Sequence, residues 1–150
     1  MKKFFTVVFL CFVCFAASFN NIFFTKLLAL GGCEEVSFYC SQKNQTEFAN
    51  EIKNGEGYIY SVDVSDAKSA YSKLLGCYGF SAKFDVLLFD KIMDTMQVVK
   101  TETLEGVQNF YGYVNGLTMF DFMDNKKVNI QVALTSNGVI VGSPLILGSY

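Results

Sequence analysis

From residue 126 onward the sequence alternates, and that alternation constrains the fold more than any other feature of the chain. Lys126 to Thr135 carries Val128, Ile130, Val132 and Leu134 on one side, with Asn129, Gln131 and Thr135 on the other. Asn137-Gly138 then leads into the apolar run Val139 to Leu147. Asn-Gly between two such runs is the strongest short-range hairpin signal. The final run is too hydrophobic for a solvated tail, so it is expected as a strand of the core sheet. Pro144 cannot donate to a ladder and marks an edge, a bulge or the point where pairing stops.

The same reading extends backwards. Val98 to Leu104 and Val107 to Val114 read as strands joined by Glu105-Gly106, and Leu117 to Asp124 is either a short strand or a loop. Phe80 to Val86 places Phe80, Ala82, Phe84 and Val86 on one face. Leu88, Phe89, Ile92, Met93 and Met96 recur at helical spacing, which predicts a helix over Leu87 to Met96. Glu34 to Cys40 and Tyr58 to Val64 alternate as strands, separated by a weak amphipathic helix at Asn44 to Lys53. Ser65 is expected to cap a helix with Ala67, Ala70, Tyr71 and Leu74 inward and Gly76 as its stop. The order predicts an α+β domain: a strand-helix-strand unit, then an antiparallel meander, with helices on one sheet face.

The first residues give an address. Lys2 and Lys3 precede an uncharged, mostly apolar run from Phe4 to Ala17, and Ala16-Ala17-Ser18 has the small residues of a signal-peptidase site. Three outcomes are open: cleavage near Ser18, retention as a membrane anchor, or lipidation at Cys33 through Leu30-Gly31-Gly32-Cys33. For the anchor, Phe4 to Phe24 is long enough for a membrane helix of roughly 20 residues, with Asn20 and Asn21 counting against it. Lys26 counts against the lipoprotein, because it interrupts the apolar region. All three face the domain outward, either secreted or held on the outer face of the cytoplasmic membrane. The chain divides into a signal peptide or anchor at 1–18, a linker at 19–33 and a single α+β domain at 34–150.

Composition narrows the chemistry. The formal net charge is −2, histidine and tryptophan are absent, and every one of the 12 basic residues is a lysine. Without histidine there is no Ser-His or Cys-His dyad and no imidazole metal site. Without a basic face, nucleic acid is not an expected partner. No catalytic, cofactor-binding or metal residue is assigned.

Several motifs have a chemical and a plainer reading. Ser65-Asp66-Ala67-Lys68 has the S-x-x-K form of serine acyl-enzymes, but no S-D-N follows and a helix cap accounts for the serine. The pairs Glu102 with Glu105 and Asp121 with Asp124 have the form of glycosidase acids, yet they sit at turns, where solvated carboxylates are ordinary. Cys33, Cys40 and Cys77 make an odd set beyond the leader, and Cys33 with Cys40 is the short loop a bridge would close. Asn44-Gln45-Thr46 is a glycosylation sequon in form only, because the leader has the bacterial pattern. Tyr111, Tyr113, Asn129 and Gln131 form the candidate binding surface, an aromatic and amide strip on outward strand positions.

The C-terminal residues Lys127-Val128-Asn129-Ile130-Gln131-Val132-Ala133 and Val141-Gly142-Ser143-Pro144-Leu145-Ile146, with Phe110-Tyr111-Gly112-Tyr113 ahead of them, resemble the signature of the YwmB family. Those are exported proteins of Gram-positive-type bacteria with a TATA-box-binding-protein-like fold. The resemblance implies an antiparallel sheet backed by helices, and it implies no activity and no catalytic residues. Two functions are carried forward. One is a non-enzymatic envelope domain that binds another envelope protein or a wall component. The other is a small extracytoplasmic hydrolase or transferase that uses carboxylates.

Overall fold

The computed structural model describes residues 22–47, 49–55 and 57–147, so the leader lies outside the described residues. Residues 22–28 are helical (α1). The chain continues through β1 (Cys33–Cys40), β2 (Ala49–Asn54), β3 (Gly57–Val62), α2 (Ala67–Lys73) and β4 (Cys77–Phe84). A 3₁₀ turn at Val86–Leu88 runs into α3 (Phe89–Met93). Then come β5 (Gln97–Leu104), β6 (Val107–Tyr113), β7 (Asp121–Met123), β8 (Lys126–Val128), β9 (Ile130–Thr135) and β10 (Gly138–Ser143). Eight strands make one antiparallel sheet in the order β2-β3-β1-β4-β10-β9-β6-β5, while β7 and β8 pair separately.

Period-two alternation gives this sheet two different faces. The register sets Val62, Val36, Ala82, Val141, Val132 and Phe110 in one row across six strands. The three short helices cover that face. Phe24 and Leu27 of α1, Ala67 and Ala70 of α2 and Ile92 of α3 join it in one core. The Phe24 ring lies 4.9 Å from Phe80, 5.2 Å from Tyr71 and 5.4 Å from Phe38, centroid to centroid. The next row, on the opposite face, reads Ser61, Ser37, Ser81, Gly142, Gln131 and Tyr111. The expected class, an antiparallel sheet with helices on one face, is the observed one.

Several details differ from the sequence expectation. The span read as a linker, 19–33, contains α1, because the core needs Phe24 and Leu27 to fill it. The described residues of Asn44 to Lys53 are not helical, and Ala49 onward forms β2, the sheet edge. Gly55 at φ 59 permits the tight turn that lays this segment along β3, whose backbone groups would otherwise lack partners. Ser65 does not cap α2. The N-cap is Asp66, with no side-chain capping bond, and turn bonds from Asp66 N to Asp63 O and Ala67 N to Val64 O lead in instead.

Further along, the segment over Leu87 to Met96 is a 3₁₀ turn and a short α-helix ending at Met93. Leu117 to Asp124 resolves in part into β7, which turns through Asp124 and Asn125, both at positive φ. The run Lys126 to Thr135 breaks at Asn129 into β8 and β9. The hairpin loop is Ser136-Asn137, with Gly138 already paired to Thr135. β10 is central, as expected for a core strand, but it stops at Ser143, immediately before Pro144.

Candidate functional site

The helix-free face carries a groove of about 510 Å³ that mixes polar and apolar residues. Its floor is Ser37, Ile59, Ser81, Lys83 and Ile140, contributed by four adjacent strands. Glu105 and Gly106 of the β5–β6 turn stand on one side, and Ile146 and Leu147 on another. Small residues keep the floor low: Ser37 and Ser61 spend their hydroxyls on each other at 3.2 Å. Lys83 meets Glu34 at 3.0 Å, so the one ammonium of the floor is already paired.

The wall at Ile146 is built by a polar relay. After Pro144 the chain folds back over this face. The Ile146 N–H donates to Gln131 Oε1 (2.9 Å), Gln131 Nε2 donates to Asn109 Oδ1 (2.9 Å), and Asn109 Nδ2 donates to Val107 O (3.2 Å). The Leu147 N–H donates to the Tyr39 hydroxyl at 3.1 Å. Asn109 and Gln131 are buried, and burying amides is tolerated because each is bonded.

The predicted strip is therefore only partly a surface. Tyr111 and Gln131 are brought together, directly opposite in the β6–β9 register, but both are buried. The Tyr111 hydroxyl donates to Glu102 Oε1 at 2.7 Å. Asn129 is fully buried as well. It accepts from Val114 N and donates to the Val114 and Leu117 carbonyls, completing the backbone bonding of the 114–117 loop. Tyr113 alone stays half-buried, with Lys127 Nζ 5.8 Å from its ring centroid. Among the described residues the exposed aromatics lie elsewhere, at Phe122 on the small hairpin and Phe120 just before it, where Lys127 Nζ sits 3.9 Å from the Phe120 ring. Outward alternation identifies which face a residue takes, not whether another segment covers it.

The carboxylate pairs are also divided. Lys100 draws one acid from each pair, Asp124 at 3.1 Å and Glu102 at 3.5 Å. Those two acids, Asp124 foremost, hold the Lys100 ammonium above its ordinary range. Asp121 accepts from the Phe122 N–H beside it. Glu105 reaches the groove, facing it with Glu35 from β1, and both are exposed. A second depression of about 550 Å³ at the β2 edge is ringed by Glu34, Glu47, Asp63 and Asp66. Among the described residues no group of three or more His, Cys, Asp or Glu side chains is placed to hold a metal.

Asn44 is committed to structure. Its side chain accepts from Leu75 N and donates to the Leu75 and Gln42 carbonyls, tying the 41–44 segment to the loop after α2. Its N–H donates to the Tyr60 hydroxyl at 2.6 Å. Burial, more than the neighbouring Glu51, raises the pKa of that phenol. No family model, curated protein or solved structure matches this chain.

Proposed function

We propose that this chain is an exported cell-envelope domain with a non-enzymatic binding role, and that the helix-free sheet face is its working surface. The observation that carries the reading is the groove itself. Its hydroxyls and isoleucines suit an extended polar partner, a peptide segment of an envelope protein or a wall strand. Ser37 on its floor bonds to Ser61, and Ser136 at its rim to Asn137, rather than to a base. The basic, apolar leader supports export, and the placement of α1 bears on how the leader ends. Cleavage after Ser18 leaves Phe24 and Leu27 in place, whereas lipoprotein processing before Cys33 removes both from the core. A membrane span cannot include Phe23 or Phe24 while they are packed in the domain. Similarity to the YwmB family, with its TATA-box-binding-protein-like fold, belongs to this proposal and implies no activity of its own.

Among the described residues no helix is long and apolar enough to cross a membrane. The test uses a photo-crosslinking residue at Ser81, in the groove, or at Lys68, exposed on α2, in intact wall-stripped cells. Adducts from Ser81 and none from Lys68 are expected, with a mature start near Phe19 by mass. Adducts from Lys68 alone, or a full-length protein in the cytosolic fraction, would overturn the reading.

Glu35 and Glu105, two acids from different elements on one groove, favour the hydrolase or transferase as a second reading. Turnover of wall polymer that disappears in both Glu35→Gln and Glu105→Gln would establish it.

A further inference from the structure

Cys40 and Cys77 are far apart in sequence but face each other across β1 and β4. A β-bulge makes the pairing. Tyr39 opposes Gly79 and Cys40 opposes Cys77, so Tyr78 is the extra residue on β4. Without that insertion the regular ladder would put Tyr78 opposite Cys40, and Cys77 would point to the other face. With it, both cysteines point into the helix-covered core, where Cys40 is fully buried and Cys77 half-buried against the same cluster. The two thiols are in hydrogen-bonding reach of each other, and Cys77 also approaches Gly79 O at 3.6 Å. Directly opposed residues of an antiparallel pair have Cα separations of about 4.5–5.5 Å, inside the range a disulfide spans.

Cys33 cannot compete for either partner. It begins β1 and Cys40 ends it, a separation of roughly 23 Å at ~3.3 Å per residue. The Cys33–Cys40 loop expected from sequence spacing is therefore ruled out by the strand between them. Burial raises the Cys33 thiol to about 11, which keeps it protonated and slow to react.

We propose that Cys40 and Cys77 form a cross-strand disulfide when the exported domain meets a thiol oxidant. In the cell this rests on the export reading, because disulfides persist outside the cytoplasm. The half-buried Cys77 sulfur attacks one sulfur of an oxidant disulfide as its proton passes to Cys40, giving a mixed disulfide and releasing one thiol. The Cys40 thiolate then attacks the Cys77 sulfur and expels the second oxidant thiol. The two cysteines lose two protons and two electrons in total, and the oxidant disulfide gains them. Sharing a proton before reaction holds Cys40 below the ordinary thiol range and Cys77 above it, so Cys40 is the base that takes up the Cys77 proton. The bridge ties β1 to β4 and closes the loop holding β2, β3 and α2.

The test has two arms. The purified full-length chain is treated with oxidised glutathione, alkylated, and cut without reduction by trypsin and a glutamate-specific protease. Cleavage at Glu34 and Glu35 separates Cys33 from Cys40, so a linked Cys40–Cys77 peptide identifies the bridge. The oxidised protein is expected to melt roughly 5–15 °C above the reduced one, and Cys77→Ser to show no such difference. Failure to link under oxidised glutathione, or linkage through Cys33, overturns the proposed pairing whatever the compartment. In the second arm, cells are alkylated before lysis and the same peptide is sought. A pair that closes in the tube but is recovered reduced from cells overturns the cellular bridge and locates the failure in the export reading.

Discussion

The two faces of the central sheet come from the same strands and the same alternation, yet they are built differently. On the helix-covered face Val36, Phe38, Phe80, Phe84, Val132 and Val141 are all sealed from solvent by α1, α2, α3 and their connections. On the other face serines, a glycine and amides take the matching positions, and residues 146–147 fold back over one end. One face is closed by apolar area, whose burial is worth roughly 25 cal/mol per Å². The other is held by directional bonds of about 0.5–1.5 kcal/mol net each. Stability belongs to the first face. The second contributes less of it.

Removing β10 tests both faces at once and has the largest expected effect. Deleting Val139 to Tyr150 takes out the strand between β4 and β9, with Val139 and Val141 from the core and the segment that walls the groove. The remaining sheet splits into two halves with new unpaired edges. Loss of a cooperative unfolding transition by circular dichroism is expected; a truncated domain that melts like its parent would break the comparison.

Phe24→Ala against Ser81→Ala separates the faces. Phe24 is fully buried among Phe38, Tyr71 and Phe80, so its truncation should cost about 3–5 kcal/mol. Ser81→Ala, on the groove floor, should change stability by less than about 0.5 kcal/mol. Denaturant melts of the two variants at constant m-value give the contrast directly.

These expectations also mark where the sequence was readable. Every second residue of β1, β4 and β9 could be assigned to one face, because apolar alternation is a local signal, and β10 could be placed in the core sheet by its apolar run. Glu105-Gly106 was readable as a turn for the same reason, with both residues at positive φ. The role of Phe24 was not, because it reads as the outer end of the leader's apolar region and burial against a distant sheet leaves no local mark. β2 was missed because its strand form depends on the free edge of β3. Tyr111, Asn129 and Gln131 were assigned outward by alternation, and they are covered by partners that arrive from elsewhere in the chain. Of the candidate site, the floor serines and Lys83 carried no motif at all; only the register assembles them. The facing of Cys40 and Cys77 depends on a one-residue bulge that no spacing rule announces.

Gln131 probes how the polar face is held. Gln131→Ala removes the acceptor of Ile146 N and a donor to Asn109, and should cost about 1–3 kcal/mol as buried groups lose partners. The loss should be local as well as global. Amide exchange at Ile146 and Leu147 should accelerate more than at Val139 or Val141, whose ladder bonds to β9 and β4 remain. Uniform acceleration across β10 would mean that the relay supports the whole sheet rather than the groove wall.

A small effect is expected at Lys83, and it tests whether the two faces divide stability from binding. The ammonium meets Glu34 at 3.0 Å, but the Glu34 side chain is 53% exposed, so solvent screens the pair. Lys83→Ala should shift stability by less than about 1 kcal/mol, and by less still at high salt, where the Debye length shortens. If the groove is the working surface, the same substitution should reduce crosslinking from Ser81 in intact envelopes, since Lys83 occupies the floor beside it. Lys68→Ala on α2 is the matched control, a lysine removed from the helical side at similar charge cost. Equal crosslinking in both variants would leave Lys83 a solubilising surface charge and move the binding surface off the groove floor.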